Sequence, residues 1–369
     1  MNRNIALALL TVALLPAACD PATAEPITTG GATSSSSSGG AGGDHDTTSS
    51  STGGAAPQGD CQPACASTEV CVESSCHAVV ELDTQTTLTG APCNIVTDAD
   101  NVYWQIGEVR RVAKTGGQAT SFGWTTMPAS LVVDDTHLYW TGGGQGIRRA
   151  DKHAGQNGQA FGSSFADQTG APTRMTGDGT RLYYFDGTDV LETDTTAPAG
   201  TTPTVFSPNG LSLGRIAADA TGVYYWGSTG YTLVREDKAT HDTTVLSGQG
   251  TGFDINLEDS ASLVVDGDTV FYSTSPVPGT GGIVARVSIA GGESTVIVDA
   301  KQGASGVFAV DEESVYFMSP SGVFKVAKTG GLPILLRPLD PPSAFPTCVA
   351  VDSQFVYWVD GVRLVQYRK

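Results

Sequence analysis

Seven aspartates, each followed at a fixed interval by two rings, are the chain's most regular chemistry. Asp98 stands before Tyr103-Trp104, Asp134 before Tyr139-Trp140, Asp178 before Tyr183-Tyr184 and Asp219 before Tyr224-Tyr225. Asp266, Asp311 and Asp352 stand likewise before Phe271-Tyr272, Tyr316-Phe317 and Tyr357-Trp358. Carboxylates of this kind could ligate calcium, and the rings could stack on a sugar or peptide. Their regularity argues for structure instead. One ring per strand can face each neighbouring unit and fill that interface, and an Asp at a turn start can accept from nearby backbone N–H groups. The aspartates recur one unit apart, too far for a single ion.

The seven cysteines divide into three groups. Cys61, Cys65, Cys71 and Cys76 follow a C-x3-C-x5-C-x4-C spacing, which in an exported chain reads as two disulfides in a small loop-rich module, with three connectivities open. Zinc is the rival, but it favours C-x2-C pairs and a reducing compartment. Cys93 and Cys348 lie 255 residues apart and can meet only if the chain closes on itself. Cys19 directly follows the leader described below.

Catalytic chemistry finds little footing. The five histidines are His45, His77, His137, His153 and His241; none recurs at a matching position, and no Ser or Cys nucleophile signature accompanies them. The connection 248–260 is the exception to the regular pattern, with Phe253, Asp254, Asn256, Glu258 and Asp259. Asp254-x-Asn256 begins like a calcium loop, but Asp259 stands at the glycine position and Val265 where the closing Glu belongs, so no metal or cofactor is assigned. Trp124 and Tyr231 fall outside the repeat in other loops placed on the same face. Together these seven residues form a candidate ligand-binding patch of aromatic and acidic character, suited to a protein or peptide partner.

The elements that must position these residues follow from the repeat. Successive aspartates are 36, 44, 41, 47, 45 and 41 residues apart. Each copy holds four strand signals: an apolar run such as Ser130-Leu131-Val132-Val133, the aromatic strand, a run such as Val323-Phe324-Lys325-Val326, and a fourth after a turn marked in places by Gly116-Gly117 or Gly330-Gly331. Gly-Gly between strands suits a tight hairpin. A four-stranded unit of this length is a propeller blade. The expected fold is therefore all-β: a seven-bladed propeller of four-stranded antiparallel blades over residues 79–369. The seventh copy, 347–369, has room for three strands. The alternating stretch Val79–Leu88 is expected to supply the fourth, closing the ring and hiding an open edge. Closure would set Cys93 beside Cys348.

The N-terminus reads as an address. A basic residue, an apolar run from Ile5 to Leu15 and Pro16-Ala17-Ala18 before Cys19 fit a secretory signal, too short to span a membrane. Small residues before the cysteine resemble the bacterial lipobox, which implies that residues 1–18 are removed and Cys19 is lipidated. Residues 19–60 form a tether: 33 of the 41 residues from 20 to 60 are Gly, Ser, Thr, Ala or Pro, too few apolar groups to offset ordering entropy. Residues 61–78 are the Cys-rich module, similar to small cysteine-rich modules of bacterial surface lipoproteins. The net charge of −18 disfavours nucleic acid, whose binding rests on Lys and Arg at phosphates.

The Tyr-Trp pairs and the repeat length resemble the YWTD-type propellers of lipoprotein-receptor ectodomains and their bacterial relatives, which are exported propeller lipoproteins. The Thr-Asp after Tyr-Trp is absent, and there are seven copies where the receptor type has six. The resemblance implies an extracytoplasmic propeller in the cell envelope, anchored to a bacterial membrane through lipid, the outer one favoured. The expected role is a binding or scaffold module for a protein or other ligand. The alternative is an extracytoplasmic enzyme, a propeller lyase or hydrolase, with its site at the channel mouth.

Overall fold

The computed structural model describes residues 61, 63–84 and 94–369, except 125–129, 142–145, 155–162, 167–173, 188, 209–214, 228–231, 248–261, 275–281, 305–306, 339–347 and 361–362. All of these described residues belong to one compact unit, Ser51–Lys369.

Short apolar runs rich in β-branched and aromatic residues, buried on both faces in the second strands, form the strands of each copy, and each copy becomes one antiparallel sheet. Blade 1 comprises Asn94–Thr97, Asn101–Ile106, Glu108–Ala113 and Thr120–Trp124, hydrogen-bonded in that order. Blades 2 to 6 repeat the order with first strands Ser130–Val133, Met175–Gly177, Ala217–Ala218, Leu263–Asp266 and Phe308–Val310. The first strands pack side by side around a closed circle, the seventh (Val349–Val351) against the first. The fold is thus a seven-bladed propeller with the first strands innermost.

Consecutive residues on a strand point to opposite faces, so the two rings of each pair serve two interfaces. Tyr103 packs towards blade 2 with Trp140, and Tyr139 packs towards blade 3 with Tyr184. The same handover places Tyr224 with Tyr272, Phe271 with Phe317 and Tyr316 with Trp358. Trp226 meets Tyr272 edge-on at 5.8 Å, the favoured geometry of ring quadrupoles. The rings are core, as their periodicity predicts.

In every blade the register between third and fourth strands slips by one residue. Such bulges add twist at a sheet's edge. The Gly116-Gly117 turn sits between those strands of blade 1 with φ of 82° and 121°, which explains the glycines.

Ring closure uses an N-terminal strand that starts earlier than Val79. Ser75–Thr84 pairs with Arg363–Arg368 of blade 7 and is itself paired to Glu69–Val72, giving that blade five strands. The Cys-rich segment therefore shares a continuous strand with the propeller. Val72 is buried with Leu336, Trp358 and Tyr367, and His77 stacks on Tyr367 at 5.2 Å. The bridges are Cys61–Cys71 and Cys65–Cys76, with Cα separations of 5.7 and 5.4 Å. This selects one of three connectivities and commits four sulfurs to disulfides.

Candidate functional site

The two ends of the ring differ in chemistry. At one end lie the turns between first and second strands, where the seven aspartates sit. Asp98 Oδ1 accepts from the backbone N–H of Asp100 and Asn101 at 3.0 and 2.8 Å, while Oδ2 accepts from the Tyr103 hydroxyl at 2.9 Å. The Tyr-to-Asp bond recurs at Asp134, Asp178, Asp219, Asp311 and Asp352, at 2.9, 3.4, 2.7, 2.9 and 2.8 Å. Blade 5 cannot make it, because Phe271 has no hydroxyl.

A lysine from the next blade completes most of these sites. Lys152 reaches Asp98 at 3.1 Å, and Lys114 reaches Asp352 at 2.6 Å across the closure. Lys238, Lys328 and Lys369 pair in the same way with Asp178, Asp266 and Asp311. In two blades the equivalent residues are Thr195 and Ile289. In all seven blades, the backbone N–H at this position donates to the turn two residues after the aspartate. Burial alone would raise the Asp98 pKa. Bonds from Asn101, Tyr103, Asp100 and Lys152 outweigh it and hold the group at about 2. Asp178 is likewise held at about 2, burial being outweighed by Lys238 and the Arg181 and Thr180 N–H groups. Burial, then the facing carboxylate, pushes the Tyr103 hydroxyl up. Five of these aspartates are inter-blade clamps, and in six of the seven both carboxylate oxygens accept hydrogen bonds.

Sequence reading found the Asp turns but missed the lysines. Each lysine follows the aspartate of its own blade by 16 to 19 residues across hairpins of unequal length, yet pairs with the aspartate of the preceding blade, so no fixed period marks it.

At the opposite end the inner strands begin, four residues before each aspartate. This ring of positions does not repeat: Asn94, Ser130, Arg174, Arg215, Ser262, Val307 and Cys348. Arg215 on blade 4 donates from Nη1 to Oδ1 of Asn94 on blade 1 at 2.8 Å. Those blades lie across the ring, so the side chain spans the channel. Arg215 Nε and Asn94 Nδ2 are both buried, and neither has a hydrogen-bond partner among the described residues. Burial, then the like charge of Arg174, pushes the Arg215 guanidinium down to about 10. Arg174 is itself buried. This pair escaped sequence reading too. Its signal is a long cation at an inner-strand position that serine, valine or cysteine fills in four other blades.

Of the residues expected to bind a ligand, Tyr231, Phe253, Asp254, Asn256, Glu258 and Asp259 lie outside the described residues. Trp124 is not in a loop: it ends the outermost strand of blade 1, opposite Glu108, on the Arg215 side. Cys93 and Cys19 are also outside. Cys348 is buried and disulfide-bonded.

A chain of hydroxyl, carboxylate and imidazole does exist elsewhere. Tyr225 donates to the buried Glu236 at 2.5 Å, Ser207 lies 2.9 Å from the Tyr225 hydroxyl, and His241 Nδ1 lies 3.0 Å from the other Glu236 oxygen. It fills the seam between blades 3 and 4. His241 sits in a turn at the clamp end, away from the channel mouth. A shallow groove of about 200 Å³ on blade 3 is lined by Arg181, Glu192 and Asp194, and its cation is engaged by Glu192 at 2.5 Å.

No family model and no curated protein matches the sequence. Solved structures do. Virginiamycin B lyase from Staphylococcus aureus is similar with a TM-score of 0.61 at 12% identity, over 79% of this chain and 99% of that one. The β-propeller domain of Cps50 (Swd1) from a Myceliophthora species gives 0.54 at 12% identity, over 79% and 100%. The extracellular domain of a protein described as a hybrid two component system of B. thetaiotaomicron gives 0.56 at 13% identity, over 79% of this chain and 42% of that one. At such identities the likeness establishes the propeller fold, and nothing further about the chemistry.

Proposed function

We propose that this chain is an exported, lipid-anchored propeller of YWTD-like type that works as a binding or scaffold module for an extracytoplasmic protein or peptide. Residues 1–18 direct export, Cys19 carries the lipid, and residues 19–60 hold the propeller off the membrane, the outer one by preference. Two disulfides suit an oxidising compartment, and one similar structure is an extracellular domain. A further bridge joins Cys348 to Cys93. The other bridged cysteines pair among themselves, and Cys348 shares an apolar cluster with Ile95, two residues beyond Cys93. Non-reducing peptide mapping should recover that pair.

The observation that carries the binding reading is the contrast between the ends: seven equivalent positions at the mouth carry different polar and apolar groups, while the other end is given over to clamps. Trp124 and the 248–260 segment are the aromatic and acidic candidates for this reading. The full chain carrying Cys19→Ser, with a photo-crosslinking residue at position 124 or at the exposed clamp-end Asp135, tests it in envelope extracts. A discrete adduct at 124 and none at 135 is expected; equal labelling at both positions would defeat the reading. Cys19→Ser should also abolish lipid labelling and free the chain from membranes. The lyase or hydrolase alternative gains no support from the described residues, since their His–Glu chain lies at the clamp end. Any shortened form of the protein should keep Cys61 onward, because a start at Val79 would cut the Ser75–Thr84 strand.

A further inference from the structure

We infer that the channel mouth holds a small oxyanion, a carboxylate or a sulfate-type group, seated between Arg215 and Asn94 with Arg174 beside them. This deepens the binding reading by naming the chemistry of what the mouth recognises.

The argument begins from hydrogen-bond inventory. Arg215 has only donors, and Asn94 Oδ1 already accepts from Arg215 Nη1. The geometry fixes the amide orientation, since a flipped Asn94 would set N–H against N–H. That leaves Nδ2 of Asn94 and Nε of Arg215, two buried donors without acceptors among the described residues. Buried donors left unmade are costly, and more so when one is charged. One oxygen-bearing ligand could answer both, because a guanidinium edge and a carboxylate or sulfate match in geometry. Arg174 and Arg215 occupy equivalent positions on adjacent inner strands, and the like charge of Arg174 adds to burial in disfavouring the Arg215 cation. An anion beside Arg215 offsets both effects in a low-dielectric channel.

The full chain carrying Cys19→Ser tests this by thermal unfolding in acetate, sulfate or chloride at constant ionic strength. A ligand bound only by the folded state raises the midpoint as its concentration passes Kd and follows a mass-action curve. A saturable rise in acetate or sulfate over chloride is expected, and the stronger of the two identifies the group. Arg215→Gln should weaken that response at least tenfold in apparent Kd, and Asn94→Ala several-fold while leaving both cations in place. A wild-type chain with no saturable response would overturn the inference, including the case where a carboxylate of the chain itself fills the site. So would an equal response in Arg215→Gln and Asn94→Ala. If the anion response fails while crosslinking at 124 persists, only this inference falls; if crosslinking also fails, the binding reading falls with it.

Discussion

The clamp end and the mouth of this propeller are built from the same strands, yet one is uniform and the other is not. At the clamp end six of seven blades make the same Tyr-to-Asp bond, and five receive a lysine from the next blade. At the mouth the seven equivalent residues include two arginines, two serines, an asparagine, a valine and a cysteine. The difference teaches how to separate structure from function in a repeat. A side chain that must solve the same packing problem seven times is repeated, and one that meets a ligand need appear only once.

The largest expected effect tests the uniform end. Asp352→Ala should cost about 2–3 kcal/mol, because it strands the Lys114 charge, the Tyr357 hydroxyl and two turn N–H groups at the ring closure. Chemical denaturation checks this. A loss below about 0.5 kcal/mol, on the order of an exposed ion pair, would make the clamps decorative and break the comparison.

Acid titration comes next. The folded pKa values of Asp98 and Asp178 are depressed from 3.8 to about 2. A depressed carboxylate contributes stability above its unfolded pKa and loses it as pH falls through the folded value. Each should therefore surrender about 2 kcal/mol between about pH 4 and pH 2. Asp98→Asn should flatten its share of that slope in equilibrium unfolding followed by circular dichroism.

The mouth should behave in the opposite sense. Arg215→Met removes a buried cation and should leave stability unchanged or raised by up to about 1 kcal/mol, as replacing buried charge with apolar side chains often does. A loss of more than about 2 kcal/mol would show Arg215 to be a strut, and the two ends would no longer differ in kind. The smallest effect sharpens the rule. Ile289→Lys should supply the clamp that Asp219 lacks from blade 5 and gain about 0.5 kcal/mol, a value typical of partly exposed pairs. Its thermal midpoint, compared with that of wild type, reads this out.

The chain alone determined the architecture. Short apolar strands, the fixed Asp-to-ring interval and seven copies could bury their rings only by stacking blade on blade, and a short seventh copy called for a strand from upstream. The Asx turns were equally legible, being local hydrogen bonds within four residues. Three things needed the tertiary structure. The lysine clamps join residues of different blades over hairpins of uneven length. The Cys-rich segment joined the core because Ser75–Thr84 continues without a break from hairpin to blade, so Val72 is buried beside Trp358. Arg215 and Asn94 are 121 residues apart and meet only because blades 1 and 4 face one another across a closed ring.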